Sequence, residues 1–122
     1  MDDFQYFSST DIRNVIFAFR DSLKTYSDVL NALNVYPVPD GDTGTNMSLT
    51  LVSVTDELDK SGNEVSSQWE AISHGSLMGA RGNSGVILSQ ILRSLSESFA
   101  SATQIDAKAI SIALQAASDA AY

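Results

Sequence analysis

Two aspartates and two glycines share five consecutive positions of this sequence, from Asp40 to Gly44. Asp40 and Asp42 alternate along an extended or turning backbone, so both carboxylates can face one point, and Mg²⁺ prefers oxygen ligands of this kind. The same composition is typical of a solvated turn that precedes a capped helix. A calcium EF-hand is excluded, because Thr45 and Leu51 stand where that loop requires glycine and glutamate. A magnesium site and a plain turn are therefore the two interpretations of this segment.

The residues that follow these aspartates lead into a predicted helix; they are Thr43, Gly44, Thr45 and Asn46. The first amides of a helix have no partner within the helix, and its dipole favours an anion, so phosphate suits this position. Carboxylates beside phosphate need metal ions between them, as when magnesium bridges proteins to nucleotides. The segment is therefore consistent with metal and phosphate bound together.

A second glycine-rich segment covers residues 78–86 and also ends at a predicted helix start. Asn83 or Ser84 can cap that helix, and the small residues let a ligand approach the backbone. No Gly-Lys-Ser/Thr follows, which excludes a Walker P-loop, and the sequence has no Gly-x-Gly for a dinucleotide or protein-kinase loop. Arg81 could approach a transferred phosphate or pair with a surface acid. The alternative interpretation is that these glycines only permit close helix packing.

Apolar residues recur at spacings of three and four, which predicts five helices and no strand. These helices are expected at about 11–33, 47–58, 67–78, 86–99 and after Asp106, with Thr10 capping the first. They predict one all-α domain over residues 1–122, an antiparallel bundle or barrel. In up-and-down order, both glycine-rich segments precede even-numbered helices, so both should lie at the same end.

Composition and charge limit the classes of function. The chain has 15 acidic and 7 basic residues, a net charge of −8, which disfavours binding to nucleic acid or to anionic membranes. It contains no cysteine, so thiolate zinc sites are excluded and a metal must use oxygen ligands. No apolar run approaches the roughly 20 residues that span a bilayer, and no signal-peptide pattern is present. We therefore predict a cytoplasmic protein without membrane insertion.

Residues 34–47 and 80–90 together closely resemble the nucleotide-binding domain of the dihydroxyacetone-kinase L-type (DhaL) family, and most of all its bacterial fatty acid kinases. The resemblance implies a helical barrel that binds ATP through two magnesium ions held by aspartates, here Asp40 and Asp42. Asn34 is a candidate third ligand, because dihydroxyacetone-kinase members have an aspartate shortly upstream. The resemblance also implies phosphate or nucleotide contacts for Thr43, Gly44, Thr45, Asn46, Asn83 and Ser84.

The resemblance to the fatty acid kinases implies that a separate fatty-acid-binding protein presents the acyl substrate. It also implies that the product is an acyl phosphate. The nearest alternative is the nucleotide-binding subunit of a dihydroxyacetone (glycerone) kinase. A third hypothesis is a noncatalytic, truncated helical interaction module. Family domains have about eight helices, whereas five are predicted here, so the barrel is incomplete. We therefore expect these 122 residues to be inactive by themselves and their uncovered apolar faces to favour homo-oligomers.

Four further residues are interpreted as structural. His74, the single histidine, lies on a predicted helix, and a lone histidine is more often structural than catalytic. Trp69, Phe17 and Phe19 have helical settings that fit core packing better than base stacking.

Overall fold

The computed structural model describes residues 7–33, 41–62, 64–101 and 105–121, apart from the side chains of Ser9 and Val65. Within these ranges the chain forms six α-helices and no strand, which confirms the all-α prediction. The helices are α1 (Ser9–Thr25), α2 (Ser27–Ala32), α3 (Thr43–Ser61), α4 (Val65–Gly79), α5 (Gly82–Ser101) and α6 (Ala107–Ala121). None of the helices in this described part has the length and hydropathy needed to cross a membrane.

The prediction of one long first helix is wrong, and the described helices number six instead of five for this reason. The helix breaks at Tyr26, whose dihedrals are φ −103° and ψ 12°. The Thr25 hydroxyl donates a hydrogen bond to the Asp21 carbonyl (2.9 Å), an interaction that tends to bend helices. The break turns α2 onto the first turn of α3, against which it packs. Apolar periodicity could not reveal the break, because it continues across it.

The caps of two helices test a second set of predictions. Ser8, and not Thr10, caps α1: its hydroxyl accepts the backbone N–H of Asp11, and the Asp11 carboxylate accepts the backbone N–H of Ser8. This reciprocal capping box satisfies two amides at once, whereas a cap at Thr10 would start the helix at Asp11 and leave Ser9 and Thr10 outside it. Asp106 caps α6 as predicted, accepting the backbone N–H of Ala109 at 2.9 Å.

Helix α3 forms the centre of the bundle, because it packs against α1, α2, α4 and α5, while α6 packs on α5. Its residues Leu51, Val54 and Leu58 are completely buried. Helices α3 and α4 run antiparallel, so that Ser53 lies against Gly79 and Glu57 lies against Gly75. The aromatic residues are structural as predicted: Trp69 belongs to the core, where its ring packs on Phe99, while Phe17 and Phe19 pack against the core.

Two arginines of α1 stabilise the packing of that helix on α3. Arg13 donates to the Leu58 carbonyl at 3.0 Å and forms an ion pair with Asp59. The guanidinium groups of Arg13 and Arg20 both lie over the Phe17 ring, at 5.0 and 4.7 Å from its centroid. Because Asp59 is near the C-terminal end of α3, the start of α1 lies at the opposite end of the bundle from Thr43.

The burial of Leu58 predicts a large loss of stability on truncation. Leu58→Ala removes side-chain atoms from a site with no solvent exposure, and we expect the free energy of unfolding to fall by about 3 kcal/mol. Leu114→Ala is the control, because Leu114 is 58% exposed, and its cost should stay below about 1 kcal/mol. Urea denaturation of both variants measures the difference, and equal losses would contradict the assignment of the core.

Candidate functional site

Residues 43–46, which follow the predicted metal-binding aspartates, belong to a helix and not to a loop before it. Helix α3 begins at Thr43, four residues before the predicted start at Met47. The backbone N–H of Asn46 donates to the Asp42 carbonyl at 2.9 Å, so Asp42 occupies the N-cap position. Thr43, Gly44, Thr45 and Asn46 therefore make up the first turn of α3, and the amides of Thr43, Gly44 and Thr45, which precede this bond, have no partner within the helix.

Gly44 allows α2 to approach this first turn. The residue is buried, and a Cβ atom on it would lie 2.3 Å from the Ser27 carbonyl oxygen and 3.0 Å from the Cβ of Leu30. Such distances are impossible for a real side chain, so only glycine permits this packing. The structure thus gives Gly44 a packing role, and the phosphate contact that the family resemblance implies for it stays a prediction.

Asn31 of α2 binds the same turn and was missed by the sequence analysis. Its Oδ1 atom accepts the backbone N–H of Thr45 at 3.1 Å, and its Nδ2 atom donates to the Thr45 hydroxyl at 2.9 Å. The two residues are 14 positions apart. No spacing rule connects them, and only the polar character of Asn31 on a short helix before the acidic segment could have drawn attention to it.

The second glycine-rich segment also begins a helix earlier than predicted. Helix α5 starts at Gly82, four residues before the predicted start at Val86. The backbone N–H of Gly85 donates to the Arg81 carbonyl at 3.1 Å, which opens the helix. Gly82 has a positive φ of 65°, and a Cβ atom there would lie 2.3 Å from Nδ2 of Asn46. The left-handed backbone favours glycine, and an added Cβ atom would also force the Asn46 side chain to move.

The starts of α3 and α5 lie side by side, as the up-and-down order predicts. The Ser84 hydroxyl donates to the Thr43 carbonyl at 3.4 Å. The backbone N–H of Arg81 donates to the Thr50 hydroxyl at 3.3 Å, and that hydroxyl donates to the Asn46 carbonyl at 2.8 Å. Two helix N-termini therefore point to one end of the bundle, where their dipoles together favour a bound anion.

The predicted site residues differ in their accessibility at this end. Asp42, Thr45, Arg81 and Asn83 are exposed, whereas Thr43, Asn46 and Ser84 are partly buried.

Asp40 and Asn34, two of the three predicted metal ligands, lie outside the described residues. Within the described part of the chain, no group of three or more acidic, histidine or cysteine residues could hold a metal ion. Asp42 contributes one exposed carboxylate of the class that Mg²⁺ prefers.

Two other concave features involve none of these residues. An apolar cavity of about 250 Å³ lies among α1, α4, α5 and α6, with Trp69 and Phe99 in its wall. Phe7 and Ile12, at the start of α1, line it, so it lies away from the starts of α3 and α5. The exposed His74 lies in a recess with Glu57 and Glu70, between α3 and α4. The polar residues that meet at the two helix starts, rather than either recess, form the candidate site.

A family model for the DAK2 domain matches residues 37–122, more than two thirds of the chain, including both glycine-rich segments. The chain belongs to the DAK2 domain family. The DAK2 domain has the DhaL-type nucleotide-binding fold, so the resemblance seen in the sequence is confirmed. The all-α bundle agrees with this fold, and the DAK2 domain is a kinase-related nucleotide-binding module.

Relatives of this DAK2 domain occur in Staphylococcus aureus. Uncharacterized proteins of the strains USA300, NCTC 8325 and COL are each 42% identical to it over 110 residues. The aligned region covers 89% of this chain and 20% of each relative. The chain thus spans about a fifth of the length of the curated relatives it matches.

Proposed function

We propose that this DAK2 domain is the MgATP-binding part of a cytoplasmic phosphotransferase that makes an acyl phosphate from a fatty acid. In this proposal, a separate fatty-acid-binding protein presents the carboxylate. The observation that carries the proposal is the hydrogen bond from Ser84 to the Thr43 carbonyl, which joins two helix N-termini at one end of the bundle. Such an end suits a polyphosphate, because two helix dipoles favour an anion at the same place.

Residues of both helix starts would hold the nucleotide. The hydroxyl and amide side chains that meet the phosphates would come from Thr43, Thr45 and Asn46 on α3 and from Asn83 and Ser84 on α5. Asp42 and Asp40 would hold Mg²⁺, with Asn34 as a third oxygen ligand. When bound, magnesium neutralises phosphate charge and so makes a polyphosphate compatible with a protein of net charge −8.

The proposed reaction needs little chemistry from the protein. An acyl carboxylate is already anionic, so its oxygen can attack the γ-phosphorus without a general base, while the bond from that phosphorus to the β-γ bridging oxygen breaks and ADP leaves. The contribution of the domain is to hold the γ-phosphate in line and to stabilise its charge. Arg81, exposed at the start of α5, is the cationic side chain we assign to that charge.

The sequence favours a fatty acid as the phosphoryl acceptor over dihydroxyacetone. The run Val38-Pro39-Asp40-Gly41-Asp42 is most similar to fatty acid kinases, and the position of the third aspartate of the dihydroxyacetone kinases is not reproduced. The uncharacterized relatives do not distinguish the two acceptors.

Because the 122 residues are expected to be inactive by themselves, titration and transfer assays of this function use a version extended through the remaining helices of the family domain, here called the full chain. We expect calorimetric heat for ATP with Mg²⁺ that disappears when EDTA is added. With ATP and a fatty-acid-loaded carrier protein, hydroxylamine should trap an acyl hydroxamate. Transfer to dihydroxyacetone on its own binding subunit, without transfer to the fatty acid, would instead establish the glycerone kinase alternative. Absence of MgATP binding would favour a noncatalytic interaction module.

A further inference from the structure

Helix α2 presents one face to the first turn of α3. Ser27 and Asn31 are four residues apart, so they lie on the same side of this short helix. The Ser27 backbone contacts Gly44, and the Asn31 side chain binds Thr45 through both of its polar atoms. No residue of α2 is buried. Helix α2 therefore meets the candidate site through these two adjacent contacts.

The orientation of the Asn31 amide follows from what Thr45 can donate. A backbone N–H can only donate, so the Asn31 atom 3.1 Å from the Thr45 nitrogen must be the oxygen Oδ1. The other atom is then Nδ2, which can only donate, and it lies 2.9 Å from the Thr45 hydroxyl. The Thr45 hydroxyl must therefore accept this bond, which leaves its own proton directed away from Asn31.

This arrangement divides the polar groups of Thr45 between two tasks. The backbone N–H of Thr45 is used by Asn31 and is not available to an anion. The hydroxyl retains its proton for another acceptor, and Thr45 is exposed in the first turn of α3. An anion bound at this helix start therefore meets the Thr45 hydroxyl as a hydrogen-bond donor whose proton is directed away from Asn31.

We propose that Asn31 is a positioning residue of the nucleotide site, which holds the Thr45 hydroxyl as a donor to a phosphate oxygen of MgATP. This inference rests on the proposed function. It goes beyond that function because it adds a residue of α2 to the site and assigns the Thr45 hydroxyl, and not its amide, to the phosphate. Asn31 itself touches no substrate in this arrangement.

A double-mutant cycle on the full chain tests the proposal, with the dissociation constant of MgATP as the readout. Asn31→Asp keeps an oxygen that can accept the Thr45 N–H but replaces the donor with a second acceptor, so the Thr45 hydroxyl must turn toward residue 31. We expect this change to weaken MgATP binding about tenfold, which is about 1.4 kcal/mol. In the Thr45→Val background, where no hydroxyl remains, the same change should cost at most about twofold.

The cycle also separates the effect of charge from that of hydroxyl orientation. Asn31→Asp adds a negative charge near the phosphates, but this repulsion is present in both backgrounds and cancels from the coupling. Asn14→Asp adds the same charge on an exposed residue beside Arg13, which binds at the far end of α3. It should leave the dissociation constant within about twofold of the unaltered chain.

Thermal unfolding distinguishes positioning from a purely structural role. Asp is an acceptor for the Thr45 N–H, and its charge is favourable at the N-terminus of α3, a helix of 19 residues, but unfavourable in the last turn of α2, which has six. The longer helix has the larger dipole, so Asn31→Asp should not lower the midpoint of unfolding. Equal losses of MgATP affinity in both backgrounds would overturn the inference while leaving the proposed function in place. Failure of the unaltered chain to bind MgATP would overturn both.

Discussion

Asp42→Asn is expected to weaken MgATP binding by about 100-fold, or about 2.7 kcal/mol, without unfolding the domain. The substitution removes a charge that the proposed function assigns to Mg²⁺, and neutral amide oxygens bind this cation less well than carboxylates. Asp42 is the N-cap residue of α3, and asparagine is as good an N-cap as aspartate, so the helix should keep its start. Calorimetric titration of ATP in the presence of Mg²⁺ measures the change.

Asp56→Asn is the matched control for this experiment. Asp56 is an exposed aspartate on the same helix, 14 residues after Asp42, which is about 21 Å along the helix axis. It makes the same change in net charge, so a general electrostatic effect would appear in both variants. Unchanged MgATP affinity in Asp42→Asn, with Asp56→Asn as the reference, would remove Asp42 from the metal site.

Gly44→Ala is expected to reduce the free energy of unfolding by about 2 kcal/mol. Alanine is favoured over glycine inside a helix by up to about 1 kcal/mol, so propensity alone predicts the opposite sign. The added methyl group would lie 2.3 Å from the Ser27 carbonyl oxygen and 2.9 Å from the Ser27 Cα. Both atoms belong to the backbone of α2 and cannot move aside as the end of a flexible side chain could.

The control for Gly44→Ala is an alanine substitution at the same position of another helix. Ser66 is the second residue of α4, as Gly44 is of α3, and it is exposed. Ser66→Ala should change the free energy of unfolding by less than about 0.5 kcal/mol. Urea unfolding curves of the two variants measure both changes in the free energy of unfolding. A Gly44→Ala protein as stable as the unaltered one would refute the close approach of α2.

The same substitution should also affect the candidate site. If α2 is pushed away from α3, the Asn31 side chain moves with it and its two bonds to Thr45 lengthen. We therefore expect Gly44→Ala to weaken MgATP binding in addition to lowering stability. Measuring both quantities on one preparation connects the packing of α2 to the phosphate contact assigned to Thr45.

The sequence by itself determined the helical class and the interiors of α3 to α6, and it predicted the adjacency of the two glycine-rich segments, but it did not reveal the break between α1 and α2. The interiors of α4 and α6 follow from apolar spacing, because a helix that packs on one side must repeat its apolar residues every three or four positions. The motifs of residues 34–47 and 80–90 were sufficient to indicate the family, which the match to residues 37–122 confirms. Apolar spacing and the motifs are local in the chain, so the chain alone contains them.

Only the tertiary structure decided where α3 and α5 begin and what meets at their starts. Residues such as Gly44 and Gly82 disfavour helix in isolation, so their sequence predicts a loop. In the fold, Gly44 packs on Ser27 and Gly82 packs on Asn46. Contacts between segments distant in sequence thus offset the low helix propensity, and the same contacts bring Asn31 to Thr45. Their energy depends on the relative placement of whole helices, which apolar periodicity does not specify.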